Sequence, residues 1–555
     1  MKPMFFLLTA LILTGGIQAQ ELNKVTIDAV HKDVVINRNI YGHFAEHLGR
    51  CIYDGIWVGK DSNIPHINGY RKDIVEALRE MKIPVLRWPG GCFADTYHWK
   101  DGIGPKSERP KMMNYHWGGV VEDNSFGTHE FLDLCELLEC EPYISANVGS
   151  GTVKEMTDWI EYMNSDQDVP MANLRKQNGR EKPWNVKYLG IGNESWGCGG
   201  AMTPDYYVNL LRNYSEMAGI YGRWKLFQIG CGANGADYNW TDVLMKQRPG
   251  SMSGLSLHYY TIAGPSWGDK SPATGFEKKY YFSGIEKAMR MNELVEKHSA
   301  IMDKYDQNKR VGLMVDEWGI WTDVEPGTEP GFLFQQNSIR DALIASLTLD
   351  IFNNHADRVK MANIAQTINV LQAVVLTEGD QMILTPTYHV FKMYSVHQDA
   401  FLLQSRLICE DYEMDGRKIP ALSCSASEDK DGSITLTVSN FNPDKEITLP
   451  VELVGATFDK ILSATVLTAP AYNSYNSFNQ PETVKPTTLK SVKKTGNSTL
   501  QVVLPPRSVV AITVNGLPLA AAGDLEALHF HPARMFDRST KLQYCTSAPV
   551  VANGC

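Results

Sequence analysis

Little in this chain of 555 residues equips it to hold nucleic acid or a metal. It has no long Lys/Arg run, and 53 basic against 63 acidic residues leave a net charge of −10. A polyanionic backbone or an anionic membrane is therefore a poor partner, and a neutral ligand a better one. Cysteine is sparse, ten in all, which excludes a scaffold built on disulfides. There is no CxxC, and the one HxxxH pair, His43 and His47, straddles a strand end, so neither a metal nor a cofactor is expected. No phosphate-binding glycine loop follows an early strand; Gly230, Gly232 and Gly235 have the GxGxxG spacing without its βαβ setting. No internal stretch approaches the ~18 uninterrupted apolar residues of a membrane span. What remains, 43% hydrophobic, 10% aromatic and 21% charged, is ordinary packed protein, long enough for a barrel and a further domain.

The N-terminus stands apart. Lys2, the apolar run from Met4 to Leu13 and the small-residue pattern Ile17-Gln18-Ala19 read as a signal peptide over 1–19. That predicts a mature chain from Gln20, secreted or periplasmic, without membrane insertion. From 36 to 388, short apolar runs alternate with helical periodicity. Eight strands are predicted, at 39–44, 84–88, 142–147, 186–192, 226–230, 254–258, 312–316 and 361–367. Between them lie helical patterns that include 74–81, 131–138, 206–217, 285–298 and 338–352. Eight strand-helix repeats fit a closed (β/α)8 TIM barrel better than an open doubly wound sheet. From 389 to 516 the pattern becomes all-β, with strands at 433–439, 446–454, 460–467, 499–504 and 508–514. We expect an antiparallel β-sandwich there, joined by strands from residues 20–35. Residues 517–555 lack periodicity and are expected to be a disordered or non-native tail.

In such a barrel the chemistry lies at the carboxyl ends of the strands. The apolar runs end on Glu46 and His47, on Arg87, Trp88 and Cys92, on Asn147, on Asn193 and Glu194, on His258, Tyr259 and Tyr260, on Glu317 and Trp318, and on Gln366. Taken singly, a strand-end Glu is more often a solvated or ion-paired residue, and His258 reads equally as a satisfied core histidine. Together, polar groups at seven strand ends point to catalysis. Glu194 and Glu317, facing one another across the mouth, can cleave an acetal: one carboxyl protonates the departing oxygen and the other attacks or stabilises the cationic centre. Asn193 suits a contact to a sugar hydroxyl. Trp88, Trp99, Trp117, Trp196, Trp318 and Trp321 are in or near the loops of this face, where rings stack on sugars.

The runs YGHFAEHLGR over 41–50, RWPGGCF over 87–93, GNESWGCGG over 192–200 and DEW over 316–318 resemble the α-L-arabinofuranosidases of glycoside hydrolase family 51. The resemblance spans about 22–514. It implies a retaining, exo-acting enzyme that releases terminal α-L-arabinofuranose from arabinan, arabinoxylan or their oligosaccharides, with Glu194 as general acid/base and Glu317 as nucleophile. Glu46, Asn193 and Gln366 would bind hydroxyls, with His258 and Tyr260 flanking the nucleophile. Cys92 stands where some relatives have Asn and would hydrogen-bond more weakly. Trp99 and Trp321 match aromatic positions around the sugar. A jelly-roll sandwich and a homo-oligomer, trimeric or hexameric, are also implied. The alternatives are a retaining barrel glycosidase of other specificity, such as a β-xylosidase or endo-glucanase, and a sugar-binding protein without activity.

Overall fold

The computed structural model describes residues 22–220 and 224–519; the expected signal peptide and the expected tail beyond 519 lie outside them. Eight strands close into a parallel barrel. In chain order they are β1 Gly42–Phe44, β2 Val85–Trp88, β3 Glu141–Ala146, β4 Tyr188–Ile191, β5 Phe227–Asn234, β6 Met252–Thr261, β7 Gly312–Ile320 and β8 Val359–Ala365. They read as unbroken apolar runs because each is covered on both faces; all nine residues of β7 are buried. The ring closes between β8 and β1, with Asn363 opposite Gly42. A β-carbon on Gly42 would stand 2.5 Å from Val85 Cγ1 and 2.6 Å from the Ala362 carbonyl oxygen, so only glycine lets this short strand fit between its neighbours. Val85, Tyr143, Tyr188, Ile229, Met314 and Met361, from six of the strands, form a separate buried cluster that plugs the interior. The strand ends above it are left to carry a site.

Helices start where a side-chain oxygen can take a free backbone N–H: Thr152, Thr203 and Thr385 accept from Glu155, Tyr206 and Tyr388. The pattern at 285–298 reads as one helix but is part of two, Lys278–Ala288 and Arg290–Tyr305, which meet at Met289. Each buries its own apolar face, Phe282 and Ile285 in the first and Leu294 and Val295 in the second, so the periodicity runs on across the junction.

The remaining strands form two stacked sheets. One has the order Ser405–Ile408, Lys24–Asp28, Ile447–Val454, Thr499–Leu504, Val492–Lys494. The other has the order Phe401–Leu403, Leu422–Glu428, Ser433–Asn440, Ser508–Pro518, Ala456–Leu467, Pro486–Thr488. Their pairings are antiparallel except one: Lys24–Asp28 runs parallel to Ile447–Val454, since it arrives from the other end of the chain and not through a hairpin. The last strand continues to Pro518, with Leu517 opposite Thr457.

Helix Ile339–Asn354 is buried throughout its length as far as Asn353, because it lies between the barrel and the sandwich. Its Asp350 accepts hydrogen bonds from Tyr394 and from the sandwich hydroxyls of Ser423, Ser425 and Thr437. Burial pushes this carboxyl up to about 7 even so.

Candidate active site

Asp316 and Glu317 are neighbours on β7, and in a regular strand their side chains would point to opposite faces. Here they do not. From Met314, opposite Ser256, to Glu317, opposite His258, β7 uses one residue more than β6; from Val315, opposite Ala362, to Trp318, opposite Ile364, it uses one more than β8. This bulge brings both carboxylates to His258. His258 Nε2 is 3.1 Å from Asp316 Oδ1, and Nδ1 is 2.9 Å from Glu194 Oε1 and 3.5 Å from Glu317 Oε2. Burial opposes charge on the ring, but Glu317, Asp316 and Glu194 outweigh it and hold the pKa up to about 10. Both nitrogens therefore carry protons and donate. Burial also works against Asp316, yet Arg87, His258 and the Tyr143 hydroxyl, 2.7 Å away, keep its carboxyl below the usual range.

Arg87, buried at the end of β2, ties four strand ends together. Nη1 donates to Glu317 Oε1 at 2.8 Å and to the Asp316 carbonyl at 3.2 Å, Nη2 to Asn193 Oδ1 at 2.6 Å and Nε to Ser145 Oγ at 3.2 Å. Its guanidinium lies over the Phe44 ring at 4.6 Å. The other oxygen of Glu317 accepts from the Tyr260 hydroxyl at 2.9 Å.

Glu194 follows β4 in a left-handed conformation, φ 39°. Its carbonyl accepts from Gly197 at 2.7 Å and Gly199 at 3.1 Å, which curls the loop back on itself. A β-carbon on Gly199 would lie 1.9 Å from the Asn193 carbonyl oxygen, so the turn requires glycine. Trp196 anchors the loop through its indole N–H to the Gly232 carbonyl at 3.0 Å. Burial and then the charge of Glu317 raise the Glu194 carboxyl, against the opposing pull of His258 and Arg87. One oxygen of Glu194, one of Glu317 and a nitrogen of His258 all lie within 4.8 Å of one another. The Glu194 side chain is 18% exposed and that of Glu317 6%, so the first faces the entrance and the second the floor. The same three groups have a spacing that a cation could bridge. Arg87 and Tyr260 already occupy the Glu317 oxygens, however, and His258 is protonated, so this donor set suits proton transfer and not ligation.

On the opposite wall, Glu46 follows β1. Its Oε1 accepts from Trp117 Nε1 at 3.0 Å and the Phe93 backbone at 3.1 Å, and its Oε2 from Gln366 Nε2 at 2.9 Å. Burial, then the charge of Glu317, push it up to about 7. Gln366 Oε1 is buried with no protein partner among the described residues, an acceptor left for a ligand hydroxyl. Trp321 stands edge-on to Tyr260 at 5.1 Å and to the exposed Trp267 at 5.4 Å.

The structure thus brings Glu46, Asn193, Glu194, His258, Tyr260, Glu317 and Gln366 together, with Trp321 beside them. Trp99 is not among them: it is 1% exposed, stacks on Trp159 at 6.0 Å and donates to the Glu155 carbonyl, so it belongs to the core. Trp88 and Trp318 are core residues as well. Cys92 does reach the cavity wall, but it is bonded to Cys198. It has no S–H to offer, and the hydrogen bond expected of it is withdrawn. Sequence reasoning gave no role to Asp316 or Cys198, placed Arg87 at a strand end without a partner, and offered Trp117 only as a ring for stacking, not as the donor to Glu46. A buried arginine inside an apolar strand was the one available signal for Arg87; Trp117 meets Glu46 only through the hairpin Met112–Asn114/Val120–Glu122.

Comparison with known proteins gives a consistent result. Residues 77–262 match the family model described as alpha-L-arabinofuranosidase 1 domain, and residues 316–508 the alpha-L-arabinofuranosidase C-terminal domain. An intracellular exo-alpha-L-arabinofuranosidase of Bacteroides ovatus is 52% identical over 92% of this chain and 99% of its own. A probable alpha-L-arabinofuranosidase C of Aspergillus niger is 33% identical over 77% of this chain and 86% of its own. The crystal structure of the GH51 arabinofuranosidase from Xanthomonas axonopodis pv. citri superposes with a TM-score of 0.87 at 46% identity, over 89% of this chain and all of that one. The arabinose complex of the Thermotoga maritima alpha-L-arabinofuranosidase does so at 0.78 and 29%, with the same coverage. The secreted or periplasmic location expected from residues 1–19 is overturned by this comparison, because the Bacteroides ovatus relative, alike over nearly the whole chain, is intracellular. A short apolar run with a small-residue end does not by itself establish export.

Proposed function

This chain belongs to the α-L-arabinofuranosidases of glycoside hydrolase family 51, and on that premise we propose how its residues divide the work of an exo-acting enzyme on arabinofuranose-containing substrates. The reading is a double displacement with retention. Glu317 attacks the anomeric carbon while Glu194 protonates the departing oxygen; Glu194 then takes a proton from water, which attacks the same carbon and frees Glu317. The observation that carries it is the carboxylate separation. Oxygens within 4.8 Å fall on the side of the ~5–5.5 Å retaining pair and leave no room for the water of a ~6.5–9.5 Å inverting one.

The roles follow from the surroundings. Donors from Arg87 and Tyr260 suit an attacking anion at Glu317. Glu194 is nearer the entrance, and burial with the neighbouring negative charge favours its protonated form, as an acid requires. His258, doubly protonated and bound to Asp316, stays in place for Glu194 in either protonation state. Once Glu317 is esterified its negative charge is gone, the Glu194 carboxyl falls, and it can serve as base. Glu46, Asn193 and Gln366 hold the sugar hydroxyls and Trp321 the leaving-group side. Glu317→Ala should abolish turnover of an aryl arabinofuranoside. Glu194→Ala should deglycosylate slowly and be accelerated by azide; no azide effect would remove its assignment.

We further infer action on arabinan, arabinoxylan and their oligosaccharides, which a product profile on branched arabino-oligosaccharides of defined linkage tests. We also infer a homo-oligomer, trimeric or hexameric. The hairpin that bears Trp117 exposes Tyr115 and Val121, apolar surface that a second copy would cover. Light scattering after size exclusion decides it.

A further inference from the structure

Cys92 opens the short helix after β2, and Cys198 lies in the loop after β4, 106 residues later; theirs is the only disulfide among the described residues. It sits against the general acid. Cys198 Sγ is 3.6 Å from Glu194 Oε2, and Asn193 Nδ2 is 3.9 Å from the same sulfur. Both cysteines are half-buried, with their sulfurs and a Glu194 carboxylate oxygen within 4.8 Å of one another, whereas Cys51, Cys135, Cys140, Cys231 and Cys424 are buried. The loop they tether has glycine at 197, 199 and 200 and holds Glu194 at φ 39°, a conformation that persists for a side-chain-bearing residue only when its surroundings over-determine it.

We propose that the Cys92–Cys198 bond is a redox-responsive positioning element for the general acid. Closed, it pins the loop and presents Glu194 with a sulfur that has no hydrogen; opened, it gives Cys198 an S–H that donates to Glu194 Oε2. The inference rests on the acid/base assignment of Glu194 made above. The groups that face Glu194 are Glu317 on β7, His258 and Tyr260 on β6 and Arg87 on β2, and none of them changes on reduction. The new donor favours the ionised carboxyl, so its pKa falls and less of Glu194 stays protonated to act as the acid at a given pH.

The opening step is ordinary thiol–disulfide exchange. A thiolate of a dithiol such as dithiothreitol attacks one sulfur, forming a mixed disulfide and releasing the other cysteine. Its second thiol then displaces the first, so two electrons and two protons pass to the protein and the reagent leaves as a cyclic disulfide.

The test compares pH profiles of kcat/KM for the oxidised and reduced full-length enzyme. Methyl α-L-arabinofuranoside, whose poor leaving group needs the acid, is set against the 4-nitrophenyl arabinofuranoside, which does not. With the methyl substrate the basic limb should move down by about half to one pH unit on reduction, a ~3- to 10-fold loss above the limb. Diamide should restore it, and the 4-nitrophenyl substrate should respond much less. Cys92→Ser, which leaves Cys198 its S–H, should show the lowered limb and ignore reductant. Cys198→Ala, opened but without that donor, should keep the oxidised limb. Alkylation and peptide mass spectrometry after each assay report the state of the two cysteines.

An unmoved limb in enzyme shown to be reduced at both positions overturns the inference. So does a pair that a dithiol does not open in the folded enzyme, or a Cys92→Ser variant that still responds to reductant. Failure of the acid/base assignment is a separate result, read from Glu194→Ala and azide.

Discussion

Replacing Arg87 by Lys keeps the positive charge and removes the geometry. A single ammonium can face Glu317 Oε1, but it cannot also reach Asn193 Oδ1 and Ser145 Oγ, which the guanidinium holds at 2.6 and 3.2 Å. A lost hydrogen bond from a charged donor is worth about 1.5–3 kcal/mol and a weaker one about 0.5–1.5 kcal/mol, so about 2–4 kcal/mol of positioning is removed. If the transition state bears that loss, kcat/KM falls ~30- to 1,000-fold. The decrease should be carried by kcat, because Asn193 and Glu317 lose their relative placement more than the pocket loses its shape. The assay is steady-state hydrolysis of 4-nitrophenyl α-L-arabinofuranoside, with a thermal melt of the same preparation to show that the barrel is intact. A variant within ~3-fold of the parent, with an unchanged melt, would refute the view that one arginine aligns nucleophile and sugar-binding Asn.

Two further substitutions probe other walls of the structure. In Glu46→Gln the single remaining oxygen cannot serve donors arriving at both carboxylate positions, from Trp117 and Phe93 on one and Gln366 on the other, so kcat/KM should drop ~10- to 100-fold in steady-state assays, and unchanged kinetics would exclude Glu46 from sugar binding. Asp350 has its carboxyl raised by burial to about 7, so the folded state retains a proton that the unfolded state releases near pH 4. Its contribution to stability is therefore present at low pH and lost as pH rises through 7, by at most ~4 kcal/mol. Glu46 and Asp95, raised by burial to about 7 as well, act in the same sense. Comparison with Asp350→Asn isolates the one group: the wild-type melting temperature should fall more than the variant's between pH 5 and pH 8, and parallel curves would show that the buried carboxyl does not titrate there.

The barrel was legible because its strands are buried on both faces and so appear as apolar runs, each stopped by the polar residues that make the site. Glu194 and Glu317 stood out for that reason. The link between them was hidden. Asp316 joins His258 only because β7 bulges, and a period-two reading turns it away from its neighbour. Arg87 and Trp117 find their partners across 230 and 71 residues, distances over which local pattern carries no information. Trp99 misled because a tryptophan near a strand end looks the same in the core as in a pocket; its stacking on Trp159 decides the matter. The pairing of Cys92 with Cys198 required two loops to be placed before it could be seen.

The most direct test of the central claim is to catch the sugar on the enzyme. Glu194→Ala, given an aryl arabinofuranoside with a good leaving group and quenched in acid, should yield on digestion a peptide bearing one arabinofuranosyl group on Glu317. A label on any other side chain, or an unlabelled enzyme whose first-formed arabinose has the opposite anomeric configuration to the substrate, would contradict it.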